Sequence, residues 1–171
     1  MRRIYFFIVL VAAVVLTPLA VVLSAPDAAW VKYHNNPIFG PSANGWDNSN
    51  VMAAKIVYES GYRMWYTANG TLDQRTNIGY ATSPDGITWT RYGTDPVLRY
   101  GTGWESNGIS APSVYHDVGA GLWKMWYAGK VWNGVYNIGY ATSPDGITWT
   151  KYAGNPVLRP SATGGDDTSV V

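Results

Sequence analysis

From residue 50 onward the chain runs in short stretches of alternating apolar and polar residues, broken by Gly, Pro, Asp and Asn. A period of two with β-branched and aromatic enrichment is the mark of strands. Four such stretches form a set, named A to D, and the set occurs twice. A covers Val51 to Tyr58 and Ile109 to His116, and B covers Arg63 to Ala68 and Trp123 to Ala128. C covers Asn77 to Thr82 and Asn137 to Thr142, and D covers Ile87 to Tyr92 and Ile147 to Tyr152. In the first C stretch one face carries Ile78, Tyr80 and Thr82, and the other carries Gly79, Ala81 and Ser83. A large face against a small one lets twisted sheets stack closely.

The repetition is literal. Residues 77–90 read NIGYATSPDGITWT, and residues 137–150 read the same, 60 positions later. Met64-Trp65-Tyr66 matches Met125-Trp126-Tyr127, and Asp95-Pro96-Val97-Leu98-Arg99 matches Asn155-Pro156-Val157-Leu158-Arg159. A partial copy opens the series: Trp30-Val31-Lys32-Tyr33 matches the D stretch and predicts a closing D-type strand over 30–33. A fixed period of this size signals units that bury their aromatic faces only by stacking on one another. Four antiparallel strands per unit is the blade of a β-propeller. The expected fold is therefore all-β, with blades of about 60 residues. Two blades (50–92 and 109–152) and partial strands fall within 30–171. Because propellers hold four to eight blades, either further blades follow or several chains share a ring. The chain is expected to be the N-terminal part of a longer propeller.

The first 25 residues follow another pattern. Met1-Arg2-Arg3 is basic, and Ile4 to Leu23 is apolar apart from Tyr5, Thr17 and Pro18. Such a segment is expected to be a signal peptide or an N-terminal membrane anchor. The rest would then be extracellular or in the cell envelope, with membrane contact only through that segment if uncleaved.

Composition narrows the function. A net charge of +1 with scattered cations gives no footprint for nucleic acid. There is no Cys and only two His, so thiolate or His-rich metal centres are not expected. No cofactor is expected, although a calcium ion in a central channel stays open. The aromatic share of 15%, nine of these residues being Trp, exceeds the charged share of 13%.

Antiparallel order puts the D-to-A and B-to-C connections at one end of the blades. These are the long, variable loops, and function tends to sit on such loops. Trp46, Asp47, Asn48, Asn50, Asp73, Arg75, Trp104, Glu105, Asn107, Trp132 and Asn133 fall there. Indole faces with amides and carboxylates suit a sugar. Glycoside cleavage needs two carboxyl groups, and Asp47 with Glu105 is the candidate pair. A blade-building role stands beside the catalytic one, because Gly45-Trp46-Asp47 and Gly103-Trp104-Glu105 recur at one place in the period.

The run Lys124-Met125-Trp126-Tyr127, Ile138-Gly139-Tyr140-Ala141-Thr142-Ser143, Asp145-Gly146-Ile147-Thr148-Trp149 and Asn155-Pro156-Val157-Leu158 resembles the five-bladed propellers of glycoside hydrolase families 43, 32, 68, 117 and 130. Ser-Pro-Asp-Gly-Ile-Thr-Trp also resembles a shortened Asp-box, a structural turn. The resemblance implies a five-bladed ring and poly- or oligosaccharide as partner. Family 43 enzymes tend to carry an Asp before a Pro at the start of strand A, where this chain has Ala111-Pro112. The general acid is usually supplied by a later blade. Two functions remain: a glycoside hydrolase-like enzyme, or a non-catalytic exported propeller binding glycans or a protein.

Overall fold

A computed structural model of the chain describes residues 30–161. Residues 34–161 belong to one compact unit, and Trp30 to Tyr33 to another. The apolar N-terminal segment lies outside the described residues.

Eight strands form two sheets. β1 (Asn50–Tyr58), β2 (Tyr62–Asn69), β3 (Asn77–Ser83) and β4 (Thr90–Arg91) make the first blade in the order β1-β2-β3-β4. β5 (Ile109–Asp117), β6 (Leu122–Lys130), β7 (Tyr136–Ser143) and β8 (Thr150–Lys151) repeat that order in the second. Every pairing is antiparallel. Trp65 stands opposite Tyr80, and in the second blade Trp126 stands opposite Tyr140.

One expectation needs correction. The D strands are two residues long, not six. The cause is the preceding turn. The Asp85 carboxylate accepts the backbone N–H groups of Ile87 and Thr88 at 2.8 and 2.7 Å, and Asp145 does the same for Ile147 and Thr148. Those amides are spent on the turn and cannot enter the ladder. The Asp85 carboxyl is held at about 2 by these bonds, with the Thr88 amide first. At Asp145 burial pushes the other way, and the same amides still bring it to about 2. Trp30 to Tyr33 are in no strand among the described residues; an extended segment counts as a strand only through a paired neighbour.

The blades stack through one aromatic core. Trp65 is completely buried, with its ring 5.1 Å from Trp123 of the second blade. Its indole N–H donates to the Gly146 carbonyl at 2.7 Å. Ile78, Tyr80 and Leu98 join it from the first blade, and Ile109, Val114, Trp123 and Met125 from the second. Burying side chains of this size stabilises by about 1.5–3 kcal/mol each. A smaller cluster of Met64, Tyr66, Ala68 and Ala81 lies on the opposite face of the first blade.

Both A strands carry a bulge at the same place. The register slips between Met52 and Lys55 and between Ser110 and Ser113. Ala53 and Ala111 adopt φ of 46° and 49° there. Left-handed backbone at a residue with a Cβ is strained and tends to mark functional edges. The Ala111 N–H is anchored to the Thr67 hydroxyl of the neighbouring blade at 3.0 Å.

Candidate functional site

Asp47 and Glu105 are buried, 2% and 5% exposed, and each is bound inside its own blade. Asp47 accepts bonds from Ser42 Oγ (2.5 Å), Tyr66 Oη (3.1 Å) and Arg91 Nε (2.7 Å). Glu105 accepts from Tyr127 Oη (3.1 Å) and Lys151 Nζ (2.5 Å). The two arrangements correspond part by part: an acid from the D-to-A loop, a Tyr from strand B and a cation from strand D. The adjoining Trp closes each one. Trp46 stacks on Tyr66 with ring centres 6.0 Å apart, and Trp104 packs on Tyr127 at 5.9 Å. Gly79 and Gly139 make room beneath. A Cβ at Gly79 would sit 2.4 Å from the Tyr66 ring, and one at Gly139 2.5 Å from Tyr127. Burial raises the Asp47 pKa, but the bonds from Ser42, Arg91 and Tyr66 and the Arg91 charge outweigh it and hold the carboxyl below its ordinary value. Burial and the neighbouring acids push both tyrosines far above theirs.

This geometry gives the two carboxylates a structural task. A charge left alone in a protein interior is costly, and a buried acid persists where a cation and hydroxyls satisfy it. Neither Asp47 nor Glu105 lines either of the two cavities described below. Trp104 is likewise spent on packing.

The open site lies elsewhere at the same end. A cavity of about 560 Å³ opens where the B-to-C loops of both blades meet the start of β5. Asp73, Arg75, Asn107 and Trp132, all named above from the sequence, line it. So do Lys130 and Tyr136, which the sequence reading missed. The indole of Trp132 is 75% exposed. A Lys130 ammonium sits 5.4 Å from the Tyr136 ring centre. Gly108 keeps the cavity's shared edge closed. Its N–H bonds to Glu105 O, the next amide (Ile109) bonds to Thr76 O, and a Cβ on Gly108 would meet Thr76 at 2.5 Å.

Asp73 is fixed within the cavity wall. Arg75 grips both its oxygens at 2.8 and 3.2 Å, and Tyr100 Oη donates to it at 3.0 Å. The Arg75 guanidinium lies 4.3 Å from the Tyr100 ring centre. Arg75, as the leading cause, holds the Asp73 carboxyl below its usual range.

A second cavity of about 520 Å³ is lined by Trp46, Asn48, Leu72, Asp73 and Arg99. Asn48 ties the loops beside it, accepting the Thr71 N–H at 2.8 Å. Asn50 donates to the Asn69 side chain at 3.1 Å, which joins β1 to β2. Asn133 accepts the Val135 N–H and shapes the B-to-C turn of the second blade. The bulge residues Ala53 and Ala111 bring no carboxylate to the innermost strands. Among the described residues no cluster of His, Asp and Glu is placed to hold a metal ion.

No protein-family model matches the chain. Two uncharacterized proteins of Mycobacterium tuberculosis, from strains CDC 1551 / Oshkosh and ATCC 25618 / H37Rv, are 35% identical over 102 residues. The match covers 56% of this chain and 32% of each relative, so the chain spans about a third of their length. Among solved structures, a glycosyl hydrolase from Bacteroides ovatus matches with a TM-score of 0.60 and 23% identity, over 84% of this chain and 45% of that one. A structure from the family 130 mannoside phosphorylases, reported to contain glycoside hydrolases that target β-1,2 mannosidic linkages in Candida mannan, matches at 0.61 and 21% over the same shares. A family 117 glycoside hydrolase of Zobellia galactanivorans matches at 0.59 and 22%, over 71% and 37%. The two four-stranded blades in sequence order give the described residues part of a β-propeller fold like that of these solved glycoside hydrolases.

Proposed function

We propose that this chain is the saccharide-binding portion of an exported, glycoside hydrolase-like propeller. The observation that carries the proposal is the cavity between the two blades. Its volume lies in the range of small-molecule sites, about 300–1,000 Å³. It offers an exposed indole at Trp132 beside the amide of Asn107 and the charged groups of Arg75 and Lys130. Flat aromatic faces cover the C–H side of a pyranose, and fixed polar groups take its hydroxyls. Export rests on the basic start and apolar run of residues 1–25.

Binding is favoured over cleavage for these two blades. Glycoside hydrolysis calls for two carboxyl groups about 5–10 Å apart across the bond. In the described cavity Asp73 is the acid present, and Arg75 and Tyr100 occupy it. Asp47 and Glu105 hold their own blades together.

Titration of the full-length protein with neutral oligosaccharides, followed by tryptophan fluorescence, tests the proposal. Trp132→Ala is expected to weaken binding about 3- to 10-fold, the equivalent of an aromatic contact of about 0.5–1.5 kcal/mol. Unchanged affinity in Trp132→Ala would remove the proposed site. Loss of a basal hydrolytic activity in Glu105→Gln, with the fold intact, would restore the catalytic reading.

A further inference from the structure

We infer that the cavity between the two blades selects saccharides carrying an anionic group, and that Lys130 is the residue that reads the charge. The inference rests on the saccharide-binding reading above and narrows it to acidic ligands.

Three charged residues line the cavity: Asp73, Arg75 and Lys130. The first two cancel. Arg75 holds both oxygens of Asp73, and Tyr100 Oη donates to the same carboxylate. The forked edge of the guanidinium is spent on that carboxylate. Lys130 stays uncompensated. Among the described residues no carboxylate lies within ion-pair distance of its ammonium. Its neighbour is the Tyr136 ring, and a ring quadrupole steadies a cation without neutralising it. The cavity lining is left with a net positive charge.

That charge is held in place. Lys130 is partly buried, and its backbone is bonded on both sides. Its N–H donates to Gly108 O at 3.0 Å, and its carbonyl accepts the Asn107 N–H at 2.8 Å. Across the ladder it pairs with Tyr136. The loop between them is closed by the Val131 N–H on Val135 O at 3.2 Å, and it carries Trp132. Indole and ammonium therefore stand at the tip and the base of one short loop and line one cavity. A pyranose stacked on the indole presents its substituents at the ring edge. A ring carboxylate, or an ester on a ring hydroxyl, is such a substituent. A cation in a cleft with protein walls concentrates its field on what enters. An ammonium is a compact point charge that imposes no fixed fork geometry, so it takes carboxylate, sulfate or phosphate alike. The amides of Gln74 and Asn107 and the Ser110 hydroxyl supply further donors for the anion's oxygens.

Titration of the full-length protein with matched ligand pairs, with EDTA present, tests the inference. Oligogalacturonate is set against its methyl ester, which keeps the ring and removes the charge. A carrageenan oligosaccharide is set against its desulfated form. The charged member of at least one pair is expected to bind about 3- to 10-fold tighter, since a hydrogen bond to a charged group is worth more than a neutral one. The advantage is expected to shrink as salt rises to ~0.5 M. Lys130→Met is expected to abolish it, and Lys130→Arg to keep it. Trp132→Ala is expected to weaken both members of a pair alike. A gain for the uronate assigns the anion to a ring carboxylate and a gain for the sulfate assigns it to an ester; either supports the inference. Equal binding within both pairs, still weakened by Trp132→Ala, overturns the charge selection and leaves the saccharide site standing. No binding of any of the four ligands overturns both. A preference that survives Lys130→Met overturns the role of Lys130.

Discussion

The two blades are built from nearly the same residues, yet their cores differ sharply. Trp65 and Trp126 hold the same place in strand B and lie tilted against corresponding tyrosines, Tyr80 and Tyr140, but one is sealed and the other meets solvent. The residue does not decide its own burial; the neighbouring blade does. The acid–tyrosine–cation units make the converse point. Asp47 with Arg91 and Glu105 with Lys151 are chemically different pairs that do one job, because each is enclosed by its own blade.

The largest expected effect sharpens this contrast. Trp65→Ala removes a fully enclosed indole and its bond to Gly146, and is expected to cost about 3–5 kcal/mol. Trp126→Ala is expected to cost less, about 1–2 kcal/mol, since 39% of the residue is already exposed. Denaturant midpoints of the two variants provide the measure. Equal losses would break the comparison.

A smaller effect separates the two acids. Asp47→Asn leaves the Arg91 guanidinium without its anion, at a cost of about 2 kcal/mol, below the ~3–5 kcal/mol of a fully buried pair because Arg91 keeps some solvent contact. Glu105→Gln is expected to cost less, since Glu105 has two side-chain donors and Asp47 has three. Acid unfolding carries the same information. The Asp47 pKa is lower in the folded chain than in the unfolded one. Its contribution is therefore complete above the ordinary carboxylate range, near 4, and is lost as pH falls through the folded value. The wild-type chain is expected to lose more stability than Asp47→Asn between about pH 5 and 2. Parallel curves would show that Asp47 adds nothing through its charge.

Much of the fold was legible in the sequence, because strand alternation and a literal repeat leave few alternatives. The strands from Asn50 to Ser83 and from Ile109 to Ser143 fall close to where the pattern puts them. The shortened D strands were hidden in side-chain chemistry: Asp85 and Asp145 reach forward to amides that look available for pairing. Trp30 to Tyr33 share the D pattern but are in no described strand.

The site was less legible. Sequence position put Asp47 and Glu105 at the loop end but could not show their side chains turned inward. The signal was present in the repeat, since Tyr66 with Tyr127 and Arg91 with Lys151 recur in step with the acids. Lys130 and Tyr136 went unnoticed because they flank a B-to-C loop that differs from its counterpart in the first blade. Residues that repeat build the blade, and residues that break the repeat line the cavity.

That distinction is tested most directly by hydrogen exchange of the full-length protein with and without a bound oligosaccharide. Protection is expected in residues 73–76 and 130–136, the unlike loops at the cavity, with little change in the identical turns at 83–88 and 143–148. Protection confined to those turns, or spread equally over both ends of the blades, would contradict the account.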